Sequence, residues 1–102
     1  MAILTATEAY QSLDYTSADE MPEKVTSIFL PAIDNFLKDA TGKDWGTLTD
    51  TYTAIDPTAK MIAGILLVRW VEDPGQIGEV SDRSTLAFIG QLQAKYHQEI
   101  AG

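Results

Sequence analysis

The order of apolar and polar positions along the chain predicts four helices joined by polar turns. Thr5 followed by Glu8 has the spacing of a capping box, in which each side chain satisfies the other's free backbone amide, so a short helix is expected from about Ala6 to Leu13. Asp14 to Ser17 read as a turn. Ser17 and Glu20 repeat the capping-box spacing, which starts a second helix near Ser17 or Asp19, with Pro22 in its first turn. Its apolar positions are Val25, Ile28, Phe29, Ala32, Ile33, Phe36, Leu37 and Ala40, the stripe of a long amphipathic helix. Pro31 falls on the polar side of that stripe. Its ring crowds the carbonyl four residues back and its missing amide removes one bond, so a kink is expected there without an end. Gly42 supplies the left-handed stop.

Residues 42 to 56 lack helical period and form a loop, with a brief extended piece expected at "TDTYTAI" from its Thr, Tyr and Ile content. Trp45 and Tyr52 are expected to fold back over the helices. Asp56 as cap and Pro57 as first residue open a third helix that runs to about Glu72, where Asp73, Pro74 and Gly75 end it. A fourth helix carries Leu86, Ile89, Leu92, Tyr96 and Ile100 at helical spacing, with Phe88 beside them and Ser81 or Ser84 as cap. The fold class that follows is all-α: a small four-helix domain, single over residues 1–102, in which a long kinked amphipathic helix packs on a central apolar helix.

The third helix raises the sharpest question. "MIAGILLVRWV", residues 61–71, is apolar on three faces: Met61, Ile65 and Val68; Ile62 and Leu66; Leu67, Trp70 and Val71. Eleven residues cover roughly half of a hydrocarbon core of about 30 Å, and Arg69 interrupts the run, so a membrane span is rejected. A helix apolar all round must be buried all round. Two readings stay open: a core helix covered by its own subunit, or a core helix that also contributes to an oligomer contact.

Composition narrows the function classes. Seven Lys plus Arg against 15 Asp plus Glu give a formal charge of −8, and the acids are scattered. No basic patch is available to neutralise phosphates, which argues against specific nucleic-acid binding. The absence of cysteine excludes disulfides, thiolate chemistry and Cys-containing zinc sites, and suits a reducing compartment. "MAILTATEAY" has no basic region and too short an apolar run for a secretory signal, so the mature chain is expected to begin at Met1.

Candidate chemistry is sparse. His97, the one histidine, lies on the last helix near an apolar position and reads as a surface or partly covered residue. Asp44, Asp50 and Asp56 recur every six residues but lack the alternating ligand order of a calcium loop, and read as turn formers plus one cap. Asp19 and Glu20 complement a helix start, while Glu72 and Asp73 are within reach of Arg69. No phosphate-binding glycine motif is present. The expectation is a non-enzyme without cofactor or metal.

The succession "LTATEAYQSL", "DYTSADE", "FLKDATGKDW" and "AIDPTAKMIAGILLVRWVEDPGQIG" resembles the phage head–tail connector proteins, also called adaptor or head-completion proteins, over about residues 3 to 95. The likeness lies in the order of helices and turns. It implies a subunit of a ring, about twelve-fold, beneath the portal protein of a tailed phage, at the neck of a virion assembled in the host cytoplasm. Such a ring extends the DNA channel, lets DNA pass without specific binding, and docks the next neck, stopper or tail protein. Family members often carry a longer C-terminal arm that grips the portal, whereas this sequence stops at Gly102. An acidic subunit is compatible with a channel through which phosphates slide. The loop 42 to 56 and the "EDPGQIG" turn are the candidate intersubunit or partner contacts, with Trp45, Tyr52, Arg69, Glu72, Asp73, Gln76 and Ile77 as the named positions. The alternative is a monomeric acidic helical module that binds a protein as regulator or inhibitor.

Overall fold

The computed structural model describes residues 2–101, and among these four α-helices and no strand are present. Helix α1 (Ala6–Ser12) begins at the expected capping box: the Glu8 amide donates to the Thr5 hydroxyl at 3.1 Å, and the Thr5 amide to the Glu8 carboxylate at 2.9 Å. Ahead of it, Ile3 and Leu4 are buried, which the pattern did not predict. The Ile3 amide donates to Asp34 Oδ1 at 3.1 Å and ties this segment to the second helix.

The second capping box does not form. Ser17 makes no side-chain cap, and Ala18–Glu20 is a separate 3₁₀ turn whose Glu20 carboxylate accepts from the Thr16 hydroxyl instead. Met21 is extended, as a residue before proline should be, so the helix starts only after Pro22. It opens with a π-helical turn, Val25–Phe29, and continues without a break as α2 (Leu30–Thr41). The π turn ends one residue before the stretch in which Pro31 has no amide to donate.

That widened turn has a packing consequence. Val25, Phe29, Ile33, Leu37 and Thr41 are all buried at a spacing of four, with Leu30 buried beside them. A pure α-helix drifts about 40° for each four residues, because its turn holds 3.6. A turn with more residues opposes the drift and keeps Val25 and Phe29 on the core side. Ile28, expected on the stripe, is rotated outward and 54% exposed. Gly42 ends α2 with φ +89°, the left-handed stop its position predicts.

Helix α3 (Pro57–Glu72) starts where Asp56 accepts from the amides of Thr58 and Ala59 at 2.7 and 3.3 Å. It is the central element, touched by α1, α2, α4, the π turn and the following 3₁₀ turn, Pro74–Gln76. Ala59, Ile62, Ala63, Leu66, Leu67 and Trp70 are buried. The outward side is not: Met61 is 42% exposed, and Gly64, Ile65 and Val68 are half-buried. The extents of 44 × 31 × 18 Å explain this. A slab 18 Å thick holds about two helix layers at 8–10 Å between axes, so a helix in either layer keeps one side at the surface.

Helix α4 (Arg83–Ala101) is capped by Asp82 and not by Ser81 or Ser84: its Oδ2 accepts from the Thr85 amide at 2.9 Å and the Thr85 hydroxyl at 2.7 Å. Its buried residues are Thr85, Ile89 and Leu92, with Phe88 and Tyr96 partly covered. Leu86 and Ile100, which share the expected helical row, are 49% and 63% exposed.

Candidate interaction surface

The side of α3 that its own subunit leaves open forms a groove against α1. Met61, Gly64, Ile65 and Val68 line it, with Ser12 of α1 as the opposite wall and Lys60 and Arg69 at its ends; its volume is about 540 Å³. Gly64 faces α1 here: a Cβ on it would lie 3.7 Å from the Ser12 hydroxyl, an ordinary van der Waals contact. The Ser12 hydroxyl itself donates to the Glu8 carbonyl at 2.9 Å and adds no unsatisfied polar group to the groove.

Ion pairs flank the groove at both ends. Lys60 Nζ meets both carboxylate oxygens of Glu8 at 2.6 and 2.7 Å, and this bond, with the Thr5 amide, holds the Glu8 carboxyl below its usual range. Arg69 pairs with Asp82 and not with Glu72 or Asp73. The expectation from sequence spacing fails because Asp82, fixed by the Thr85 hydroxyl and amide, stands preorganised across the turn. Thr85 first and Arg69 second hold its carboxyl far below the usual range. Both members of that pair remain solvent-accessible, and such pairs are weak and exchangeable.

A second hollow of about 500 Å³ lies between the 76–81 turn, Phe36 of α2 and Leu86 of α4. Phe36, Val80 and Leu86 form its apolar part, Gln76, Gly78 and Ser81 its rim, and Glu79 is its one charged lining residue. It backs onto the core through Phe36, which meets Trp70 edge to face at 5.5 Å, and through the Trp70 indole, which donates to the Glu79 carbonyl at 3.2 Å.

The sequence-predicted contact residues divide between surface and core. Trp45 is 2% exposed, with its indole donating to Thr41 Oγ1 at 2.7 Å, and is corrected to a core residue. Tyr52 packs edge to face on it at 5.9 Å, donates its hydroxyl to the Trp45 carbonyl and accepts from the Asp56 amide, both at 2.8 Å. Burial pushes the Tyr52 hydroxyl's pKa up. Lys43 closes this corner, lying 4.6 and 4.2 Å from the Trp45 and Tyr52 rings and bonded to Glu99. The loop is therefore a lid on the core, and the extended piece expected at "TDTYTAI" is a tight turn closed by the Thr49 amide on the Tyr52 carbonyl at 2.8 Å. With no second strand to pair with, that segment has nothing to make it a sheet.

Glu72, Gln76 and Ile77 are exposed, and Asp73 accepts from the Gly75 amide at 3.2 Å. Of the predicted set only Arg69 lines the groove and only Gln76 lines the hollow. Met61, Gly64, Ile65 and Val68 were missed as a surface. Their helical spacing was visible, but which of three apolar faces stays uncovered depends on where the other helices pack. His97 is exposed on α4, beside Tyr96. Asp44 accepts from the Gly46 amide and the Thr47 hydroxyl as a turn former, and among the described residues no three His, Asp or Glu side chains cluster as metal ligands. Among the described residues no helix is long and apolar enough to cross a membrane. Compared with known proteins, the chain matches no family model, no curated protein and no solved structure.

Proposed function

We propose that this chain is a structural, non-catalytic subunit that works by assembling with copies of itself and bridging other proteins, as a head–tail connector of a tailed phage does. The observation that carries this reading is the groove on α3: a row of Met61, Ile65 and Val68 left open on the most apolar helix of an acidic chain. Water contact with such a row is unfavourable by about 25 cal/mol for each Å² of apolar surface, so a partner that covers it gains that term. The order of helices and turns, with its resemblance to connectors, supplies the particular setting. In that setting copies form a ring of about twelve below the portal, DNA passes through without specific binding, and a stopper or tail protein docks on the far side. The charge of −8 favours a channel that does not hold phosphates.

Light scattering and native mass spectrometry across concentration, followed by electron microscopy with portal rings, test the reading. A ring stoichiometric with the narrow end of the portal is the expected result. A protein that stays strictly monomeric at high concentration, with portal present, overturns it and favours a monomeric acidic binding module.

A further inference from the structure

We infer that residues 2–13 form an exchangeable arm, hinged at Asp14, that leaves its own subunit and packs in the same place on a neighbouring copy; this deepens, and rests on, the assembly reading above. The receiving face needs no new complementarity, because the chain's own arm already displays it. Glu8 pairs with Lys60, Ser12 faces Gly64, the Ile3 amide donates to Asp34, and Ile3 and Leu4 are buried. A neighbour's arm brings the same side chains to the same partners, which is why exchange of identical elements is a low-cost route to assembly. Giving the arm to one neighbour and receiving one from the other uses two different surfaces, as a closed ring requires.

Three features single out this arm. It lies at one end of the sequence, so its departure leaves the path of the other three helices intact. Its helix is lightly held: Ala9 is the one fully buried residue of α1, and hollows of about 540 and 480 Å³ border its seam with α3. Its hinge carries a steric cost. Asp14 is exposed and has φ +63°, the one positive value outside glycine among the described residues. The turn is closed on either side of that residue, by the Asp14 amide on the Gln11 carbonyl at 3.2 Å and the Tyr15 amide on the Tyr10 carbonyl at 2.9 Å. Straightening the hinge releases the left-handed conformation, while the contacts of the arm are the same at home and on a neighbour. Fully extended, Leu13–Ser17 spans at most about 18 Å, so donor and acceptor pack directly side by side.

The chain has no cysteine, so two substitutions report where the arm lies. A Cβ on Gly64 stands 3.7 Å from the Ser12 hydroxyl, close to the spacing that a disulfide uses. Ser12→Cys and Gly64→Cys are placed together in one chain, which is assembled at increasing concentration, oxidised and run on a non-reducing gel. An arm at home closes an internal bond and the chain runs as a monomer, whereas an exchanged arm links each chain to the next. The expected result is a ladder of covalent species that grows with concentration, and a covalent dimer when the two single variants are refolded together. Asp14→Gly removes the steric cost of the closed hinge and should lower the linked fraction about fivefold. In the unmodified protein at low concentration, the α1 amides should exchange hydrogen faster than those of α3. A monomer band alone, with oligomers in light scattering, overturns the exchange and spares the assembly reading; a strict monomer removes both. A linked dimer that extends no further overturns the passage of arms around a ring in favour of reciprocal exchange. A linked fraction unchanged by Asp14→Gly overturns the hinge, and equal protection of α1 and α3 overturns a separable arm.

Discussion

Trp45 and Thr41 are joined across the end of α2: the indole nitrogen donates to Thr41 Oγ1 at 2.7 Å, and that hydroxyl donates in turn to the Leu37 carbonyl at 2.6 Å. Both residues are buried, and through this pair the loop after Gly42 is locked against the core. Thr41→Val keeps the shape and orphans the indole donor, so it should cost about 1–3 kcal/mol in a urea melt followed by circular dichroism, whereas Thr41→Ser should cost less. Equal melts for Thr41→Val and the parent would show that the bond carries no net stability.

Gly42 combines a positive φ of 89° with a close neighbour, since a Cβ there would stand 3.3 Å from Tyr96 Cε2. Gly42→Ala is expected to destabilise by about 1–2 kcal/mol from the backbone alone, with an added cost if Tyr96 has to move. A Tyr96→Ala background should remove the added part, and a double-mutant cycle on thermal melts measures it.

Acid should unfold the chain through the carboxylates whose pKa is depressed. Glu8 is lowered by Lys60 and the Thr5 amide. For Asp56 burial acts upward, but Lys95 and the amides of Thr58 and Ala59 outweigh it. A depressed folded pKa means stability that is present above the unfolded value, near pH 4, and is lost as pH falls through the folded one. Asp56→Ala should cost ~0.5–2 kcal/mol at pH 7 and flatten the stability–pH curve below about pH 4.

Asp34 runs the other way. Burial raises its pKa against the Ile3 amide that lowers it, so its contribution falls as pH rises from the unfolded to the folded value. Asp34→Asn keeps an oxygen for the Ile3 amide without a partly buried charge and should be neutral or stabilising at pH 7, while Asp34→Ala orphans that amide and should cost about 1 kcal/mol. Urea midpoints at pH 7 and pH 4 separate the two effects.

Met61→Lys changes an exposed position, so the monomer's unfolding free energy should move by no more than about 0.5 kcal/mol. Its self-association should nevertheless weaken, read as a lower average mass by light scattering at equal concentration. Trp70→Ala, in the core behind the same helix, should instead cost about 3–5 kcal/mol. An unchanged mass for Met61→Lys would remove the α3 groove from any assembly contact.

What the sequence determined by itself is local. Thr5 with Glu8, Asp56 with Pro57, and Gly42 carry their own hydrogen-bonding and backbone preferences, and α1, α3 and the end of α2 begin or stop where those residues say. The apolar period located the second and fourth helices, because 3.6 residues per turn is a property of the chain. The tertiary structure decided matters that depend on what lies opposite. Asp82 captured both the cap of α4 and Arg69, two roles that spacing assigned to Ser81 or Ser84 and to Glu72 or Asp73. Packing at intervals of four chose the π turn and turned Ile28 outward. It also chose, among three apolar faces of α3, to bury those that meet α2 and α4 and to leave Met61, Ile65 and Val68 to the surface of a body two helices thick. No sequence period contains that choice, since each face is equally apolar until the other helices take their places.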